Sequence, residues 1–347
     1  MSESSKTQLK IVFGAMAIGK PSTHSSTHHN SDELTCESQD TFHARIHTPE
    51  DVAPVLDLFL KYGHIEVDTA RGYGDGTSEE LLSEADWKTR GIVMGTKLYP
   101  KPKYTHSPKD VRRGLMDSLE ALKTDRVDMF YLHGPDRTVP FEETLRAVNE
   151  LHKEGCFNRF GISNFLSYEV AKICEICEKH GWIKPAVYQG NYSALQRSVE
   201  SELFPCLRHY GISLYAFQPL AAGFLTGRYQ RNQTEFEEGS RFDSKQWIGK
   251  VTQGRYINDS YFDALDLIKA VADKHGLTIA EIALRWLEHH SLLKKYHGDA
   301  IIIGASSLKH VGENLADLEK GPLPEEVVKV VEQAWLKAKP VAPRYFH

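Results

Sequence analysis

The sequence lacks any long hydrophobic run. No stretch is apolar over the ~20 residues that a membrane-spanning helix needs, and the amino terminus MSESSKTQLK has no apolar signal core. Cysteine is also scarce: the five residues are odd in number and lack disulfide-like spacing. Cys174 and Cys177 fall three apart in a predicted helix, a pattern that favours helix packing over a redox or zinc site. These absences predict a reduced, cytoplasmic protein.

An excess of positive charge is absent as well. The 347 residues include 42 Lys and Arg against 47 Asp and Glu, which gives a formal net charge of −5. The basic residues are dispersed and form no stripe of the kind that binds nucleic acid. Composition is that of an ordinary globular chain, with 41% hydrophobic and 26% charged residues. We therefore expect small-molecule chemistry, with neither a nucleic acid nor a membrane as partner.

Short β-branched or aromatic runs alternate with longer helical patterns along the whole chain. This alternation is typical of βα units around a parallel sheet, and about eight strands close such a sheet into a (β/α)8 TIM barrel. The predicted strands are Leu9–Phe13, Ile65–Val67, Ile92–Thr96, Val127–Leu132, Phe157–Ile162, Ala186–Gln189, Ile212–Ala216 and Ala300–Ile303.

The chain is predicted to form a single barrel domain over residues 1–347, with extra helices and long active-site loops. The predicted helices are Pro49–Tyr62, Ser78–Glu84, Pro108–Leu122, Phe141–Lys153, Ser167–His180, Ser201–His209, Tyr261–His275, Thr278–His290, Leu308–Leu318 and Pro324–Ala338. Residues 20–43, rich in Ser, Thr and His, are predicted to be a mobile insertion whose histidines bind no metal. Residues 226–260 are predicted to be a lid-like loop, and residues 324–347 a carboxyl-terminal helix and tail.

Four polar residues cluster after three consecutive predicted strands. Asp68 follows the second strand, Lys97 the third and His133 the fourth, while Tyr73 lies in the loop beyond Asp68. Each has a common structural role when it occurs alone, as a helix cap or a solvated surface residue. Together they indicate a site, because the carboxyl ends of parallel barrel strands converge on one rim.

This set of side chains is suited to proton transfer onto a carbonyl oxygen. A phenol with a pKa of about 10 donates a proton reluctantly at neutral pH, unless a nearby cation such as Lys97 stabilises its phenolate. Asp68 can keep a buried Lys97 charged through an ion pair. His133 can hydrogen-bond the carbonyl oxygen or share in the proton transfer.

The chain resembles the aldo-keto reductases through several motifs whose order and spacing agree along nearly its whole length. These are Asp68-Thr69-Ala70-Arg71-Gly72-Tyr73, Gly95-Thr96-Lys97, Leu132-His133-Gly134-Pro135-Asp136 and Gly161-Ile162-Ser163-Asn164. It is most similar to the branch of aflatoxin-aldehyde and succinic-semialdehyde reductases, through Glu202-Leu203-Phe204-Pro205-Cys206-Leu207-Arg208, Pro219-Leu220-Ala221, Leu225-Thr226-Gly227 and Ala334-Trp335.

The resemblance implies NADPH-dependent reduction of aldehydes, dicarbonyls or activated ketones. It implies a catalytic tetrad of Asp68, Tyr73, Lys97 and His133, with Tyr73 as the general acid. The residues that it implies for NADPH or NADP+ are Ser163, Asn164 and Gln189 at the nicotinamide carboxamide, Phe217 on the ring, Gln218, Leu220 and Gly223 near the pyrophosphate, and Ser306, His310, Glu313 and Asn314 at the adenosine end.

The adenosine end also has a physical basis in the sequence. Ser306 and Ser307 precede a predicted helix at Leu308, where hydroxyls and unpaired amides can hold a phosphate. No G-x-G-x-x-G follows the first strand, so the cofactor is not expected to bind in the Rossmann manner. His310 stands where family members often have Arg or Gln, which affects the preference for NADP.

Substrate binding is expected to involve Trp247, Arg255, Tyr256 and Arg344. Relatives that accept succinic semialdehyde tend to end in arginine, where this chain has His347.

The resemblance allows a homodimer. An alternative function is a cofactor-binding regulatory subunit resembling the potassium-channel β subunits, which share the fold and the tetrad. The chain is more similar to the soluble reductases, and no extra interaction domain is expected in it.

Overall fold

The computed structural model describes residues 6–21, 44–100 and 103–347. Parallel strands close into a barrel in the order of the chain, β1 to β8. The strands are β1 (Lys10–Gly14), β2 (Glu66–Asp68), β3 (Val93–Leu98), β4 (Val127–Leu132), β5 (Phe157–Ser163), β6 (Val187–Asn191), β7 (Ser213–Phe217) and β8 (Ala300–Ile303). The predicted (β/α)8 fold is confirmed.

Helices follow or separate these strands throughout the described ranges. They are α1 (Pro49–Lys61), α2 (Thr77–Glu84), α3 (Pro108–Ala121), α4 (Phe141–Lys153), α5 (Ser167–His180), α6 (Leu203–Tyr210), α7 (Trp247–Tyr256), α8 (Asp259–His275), α9 (Ile279–His289), α10 (Leu308–Leu318) and α11 (Glu325–Ala338). The extra helices predicted before the last strand and at the carboxyl terminus correspond to α9 and α11. Cys174 and Cys177 are fully buried on α5, as the packing interpretation predicted.

The structure corrects the prediction of a loop over residues 226–260. This segment contains the helix α7, and its end overlaps the start of α8 at Asp259. The helix escaped prediction because Gly249 and Gly254 lower its helix propensity and its apolar residues form no continuous stripe. Of the predicted insertion 20–43, only residues 20 and 21 are described; the rest lies outside the described residues.

The chain divides into two compact units. One contains the described residues of Gly14–Asp57 and Ile65–Ala186. Within it β2, β3, β4 and β5 pair in parallel, and Lys97 on β3 lies opposite Tyr131 on β4. Glycine is required at Gly161 on β5, because a Cβ there would lie 2.3 Å from the ring of Tyr131. Close packing of this kind fixes the strands that carry the polar residues.

The other unit contains the described residues of Met1–Phe13, Leu58–His64 and Val187–His347. Within it β6 pairs with β7, β7 with β8 and β8 with β1. The buried guanidinium of Arg197 lies 4.0 Å from the ring centroid of Trp286 on α9 and pairs with Glu332 on α11 at 2.7 Å. In residues 6–21, 44–100 and 103–347 no helix combines the length and apolar composition that crossing a membrane requires.

Candidate active site

Four side chains gather in the unit formed by β2 to β5, and we call them the acid–base cluster: Asp68, Tyr73, Lys97 and His133. Asp68 is the last residue of β2, and Lys97 lies within β3 one residue before its end. Both were expected just after their strands, so the strands run one or two residues further than predicted. Tyr73 begins a short 3₁₀ turn after β2, and His133 directly follows β4.

Lys97 lies at the centre of the cluster and is completely buried. Its ammonium donates to the carboxylate of Asp68 and, at 2.6 Å, to the backbone carbonyl of Thr69. Burial lowers the pKa of Lys97, but the charge of Asp68 and the interaction with Tyr73 raise it by more, so that the pKa lies above its usual value. The buried lysine is therefore held as an ammonium ion.

Tyr73 packs between this ammonium and His133. The Nζ atom of Lys97 lies 4.8 Å from the ring centroid of Tyr73 and hydrogen-bonds its hydroxyl. The ring of Tyr73 meets the ring of His133 edge-on, with centroids 5.8 Å apart. Because a cation beside a phenol stabilises the phenolate, this arrangement favours loss of the tyrosine proton.

The structure adds a residue that sequence reasoning missed. Tyr99 also meets His133 edge-on, with centroids 5.5 Å apart and an interplanar angle of 87°. It is 37% exposed, and a side chain at Gly134 would crowd its ring. Its position two residues after Lys97, on the loop after β3, was a signal that could have identified it. His133 is thus flanked by two tyrosines.

The predicted carboxamide residues Ser163 and Asn164 lie beside the acid–base cluster. Ser163 is the last residue of β5, and Asn164 follows it with a left-handed φ of 65°. The side-chain amide of Asn164 donates to the backbone carbonyl of His133 at 2.9 Å and to the hydroxyl of Ser163 at 3.0 Å. A direct hydrogen bond therefore links the two groups of predicted site residues.

The second unit carries the other predicted nicotinamide residues. Gln189 is buried in β6, and among the described residues its Nε2 atom has no hydrogen-bond partner. Phe217 is the partly exposed last residue of β7. The side-chain oxygen of the next residue, Gln218, accepts hydrogen bonds of 3.3 Å from Asn191 and from Tyr256. A buried amide donor that lacks a protein partner fits a ligand carbonyl.

The backbone after β7 forms a tight turn with several left-handed residues. Gln218, Ala221, Ala222 and Gly223 all have positive φ, at 56°, 49°, 58° and 99° respectively, and Leu220 lies among them. Within this turn the N–H of Ala221 donates to the carbonyl of Gln218 and the N–H of Gly223 to that of Leu220, both at 2.9 Å. Non-glycine residues adopt such angles at a cost, which makes their concentration here informative.

The predicted adenosine residues lie at the start of α10. The hydroxyl of Ser307 accepts from the backbone N–H of His310 at 3.3 Å and so caps the helix. The hydroxyl of Ser306 lies 3.0 Å from Nδ1 of His310 on the exposed surface. Asn314 is buried, whereas Glu313 is exposed. The helix start thus presents two hydroxyls and an imidazole on one surface.

Three of the predicted substrate residues lie on α7. Trp247 at its first position is 46% exposed, and Arg255 in its last turn is partly exposed. Tyr256, in contrast, is completely buried and stacks on Phe224 with centroids 5.9 Å apart. Its hydroxyl contact with Gln218 therefore ties α7 to the backbone after β7.

The tail that carries Arg344 is anchored by its neighbours. The backbone carbonyl of Pro343 accepts from Gln196 at 2.8 Å and from Ser198 at 3.0 Å. The hydroxyl of Tyr345 hydrogen-bonds Glu202. Arg344 itself is exposed, and its guanidinium lies 5.8 Å from the ring centroid of Phe346.

These features define a class of protein: a parallel (β/α)8 barrel with a buried acid–base cluster at the carboxyl ends of its strands. The sequence model of the Aldo/keto reductase family matches residues 38–336. The chain is 52% identical over 296 residues to an aldo-keto reductase of Pseudocercospora fijiensis, covering 84% of this chain and 100% of that protein. It is 46% identical over 355 residues to the aldo-keto reductase pigE of Monascus ruber, covering 99% of each.

A human relative is also similar. Aflatoxin B1 aldehyde reductase member 4 of Homo sapiens is 43% identical over 303 residues, covering 85% of this chain and 91% of that protein. The chain therefore belongs to the aldo/keto reductase family. Membership of this oxidoreductase family, together with the aflatoxin aldehyde reductase relatives, supports carbonyl reduction, and the family generally uses NAD(P)H.

Proposed function

We propose that this chain reduces aldehydes, dicarbonyls or activated ketones to alcohols with NADPH, and that Tyr73 donates the proton. The observation that carries the proposal is the fully buried ammonium of Lys97, held charged by Asp68 directly beside the phenol of Tyr73. A permanent positive charge in a site of low dielectric strongly favours the phenolate that remains after proton transfer.

Each member of the acid–base cluster has one role in this proposal. Tyr73 hydrogen-bonds the substrate oxygen and transfers its phenolic proton to it. Lys97 stabilises the phenolate, and Asp68 keeps Lys97 protonated. His133 orients the carbonyl through a hydrogen bond from its imidazole. When bound, NADPH supplies the hydride that reduces the carbonyl carbon.

We assign the cofactor to the residues whose polar groups fit it. Ser163 and Asn164 would hold the nicotinamide carboxamide. The resemblance also assigns Gln189 to the nicotinamide, and its buried Nε2 atom, without a partner among the described residues, suits a ligand acceptor. Phe217 would stack on the ring. The remaining assignments are Gln218, Leu220 and Gly223 for the pyrophosphate, and Ser306, His310, Glu313 and Asn314 for the adenosine end.

The experiment that tests this function is a spectrophotometric screen of NADPH oxidation by the purified chain. The panel contains aldehydes, ketones, dicarbonyls and semialdehydes. We expect turnover with at least one class. NADPH binding with no turnover on any of them would instead support the alternative of a cofactor-binding regulatory subunit.

We predict that NADPH binds at least about tenfold more tightly than NADH, because the start of α10 offers hydroxyls, amides and a basic side chain to a 2′-phosphate. His310→Arg is expected to tighten NADPH binding and leave NADH binding unchanged, since a guanidinium contacts phosphate through two hydrogen bonds. Dissociation constants from fluorescence titration check this. His209→Arg, on the exposed surface of α6, adds the same charge as a control. Equal affinities for the two cofactors would contradict the assignment.

Substrate charge gives a further prediction. Residue 347 of the tail is a histidine. A neutral imidazole offers one hydrogen-bond donor and little charge, whereas a guanidinium binds a carboxylate through two parallel hydrogen bonds. We expect neutral aromatic aldehydes and dicarbonyls to be reduced with a higher kcat/KM than succinic semialdehyde. Because Pro343 and Tyr345 anchor the tail, His347→Arg is expected to raise kcat/KM for the semialdehyde about tenfold.

Arg255 and Arg344 are the remaining candidates for contact with a substrate carboxylate, and the half-exposed Trp247 is the candidate for the apolar part. Tyr256, also expected there, is completely buried against Phe224, so we assign it the support of α7 and not a substrate contact. Steady-state kinetics with succinic semialdehyde and a neutral aldehyde, in the wild type and in His347→Arg, make the comparison. A wild-type preference for the semialdehyde that His347→Arg leaves unchanged would show that the tail does not set charge selectivity.

A further inference from the structure

A carboxylate outside the acid–base cluster is buried next to it. Glu79 on α2 is completely inaccessible to solvent. Its Oε1 atom accepts the hydroxyl of Thr96 at 2.6 Å, and its Oε2 atom lies 2.8 Å from the guanidinium of Arg71. The next residue, Glu80, is on the surface and pairs with Lys20 at 3.2 Å. Burial of a carboxylate is costly unless its charge is paired, and for Glu79 the pairing comes from Arg71.

The guanidinium paired with this carboxylate is held at further points. Arg71 also donates to the backbone carbonyl of Asp117 on α3 at 3.0 Å. Its own backbone N–H donates to the carbonyl of Lys97 at 3.0 Å. The guanidinium passes so close to Gly76 that a Cβ there would lie 1.5 Å from Nη2. Arg71 therefore fixes the loop that presents Tyr73, two residues further along.

The second contact of Glu79 reaches β3. Thr96 directly precedes Lys97, so the two contacts of one carboxylate join the loop of Tyr73 to the strand of Lys97. Burial raises the pKa of Glu79 above its usual value, and Arg71, hydrogen bonds from Thr96 and Ser118, and the charge of Lys97 oppose that rise. The contact with Arg71 at 2.8 Å is the one that favours the charged carboxylate most. The charged and titratable groups around Glu79 and its partners, from β2, β3, α3 and the loops after β2, β3 and β4, are Asp68, Arg71, Tyr73, Lys97, Tyr104, Asp117 and His133.

We propose that Glu79 is a positioning residue for the carbonyl reduction proposed above, on which this inference rests. Its contacts hold Tyr73 and Lys97 at fixed positions relative to each other. Its negative charge offsets the positive charge of Arg71 and so sets the pH range in which Tyr73 keeps its proton. Glu79 acts only through these neighbours and does not touch the substrate.

The test is the pH dependence of kcat in Glu79→Gln, which keeps the shape of the side chain and removes its charge. Without this charge the guanidinium of Arg71 is uncompensated, so Tyr73 should lose its proton at lower pH. We expect the alkaline limb of the kcat profile to move down by about one pH unit and kcat at its optimum to fall about tenfold. The dissociation constant for NADPH is expected to stay within about twofold.

Two matched variants separate this role from a general loss of stability. Glu79→Asp retains the charge and is expected to keep the alkaline limb at its wild-type pH. Asp299→Asn removes another buried carboxylate, which pairs with Arg208 at 2.9 Å in the other unit. We expect both Asp299→Asn and Glu79→Gln to lower the melting temperature, but only Glu79→Gln to move the pH profile of kcat.

If the alkaline limb of the kcat profile of Glu79→Gln stays at its wild-type pH, the proposal is overturned, whatever the value of kcat. The proposal is also overturned if the alkaline limb of Asp299→Asn moves as far as that of Glu79→Gln. If Glu79→Gln does not fold, Thr96→Val decides, since it removes only the hydroxyl link to β3. A three- to tenfold fall in kcat with NADPH affinity unchanged is expected, and wild-type kcat overturns the proposal. A wild type without NADPH-dependent turnover refutes the proposed function itself, which distinguishes the two failures.

Discussion

Tyr73→Phe is expected to lower kcat/KM for carbonyl reduction about 10³-fold while the dissociation constant for NADPH stays within about twofold, since the change deletes the proton donor and leaves the cofactor residues in place. The phenyl ring keeps its packing against His133 and beside Lys97. Steady-state kinetics and fluorescence titration of NADPH on the same preparation make the measurement.

Tyr99→Phe is the matched control, because Tyr99 also meets the ring of His133 edge-on and loses the same hydroxyl. Its kcat/KM is expected to stay within about threefold of the wild type. Near-normal turnover in Tyr73→Phe would contradict the assignment of the proton donor. If kcat/KM falls as far in Tyr99→Phe as in Tyr73→Phe, the loss cannot be attributed to the hydroxyl of Tyr73 in particular.

Lys97→Met is expected to lower kcat/KM at least about 10²-fold and to lower the free energy of unfolding by about 3–5 kcal/mol. The activity falls because the tyrosine loses the cation that stabilises its phenolate. The stability falls because Asp68 is left as an unpaired buried carboxylate. Denaturant unfolding and steady-state kinetics report the two effects separately.

The double variant Asp68→Asn/Lys97→Met tests that separation. With both charges removed, most of the lost stability should return, whereas the activity should not. Recovery of activity together with stability would show that Lys97 matters only for folding. An unchanged unfolding free energy in Lys97→Met would show that the ion pair is not buried in solution.

Prediction from the sequence succeeded where local pattern decides structure. The bounds of β4, β8, α4, α5 and α10 coincide with the predicted ranges. These elements have strong periodicity or clear end signals, as with Ser307 capping α10. The fold class followed from the alternation of strands and helices, because parallel strands joined by helices have few ways to close.

Local pattern failed for α7 and for the bounds of β2 and β3. Gly249 and Gly254 weaken the helical signal of α7, whose aromatic Tyr256 is buried against residues distant in sequence. Asp68 and Lys97 are charged, so a hydrophobic pattern ends before them although the strands continue through both. Their mutual ion pair makes their burial in strands tolerable, and no local pattern encodes a contact between residues 29 positions apart.

The sequence by itself determined the barrel, the family resemblance and the four residues of the acid–base cluster, because their types and their positions near strand ends can be recognised one segment at a time. Only the tertiary structure decided which of two adjacent acids is buried beside the acid–base cluster. Glu79 and Glu80 both suit the first turn of α2, where the helix dipole favours negative charge. The packing of α2 turns Glu79 inward to Arg71 and Thr96 and leaves Glu80 on the surface. The environment of a charge depends on the residues that surround it in space, and those come from distant parts of the chain.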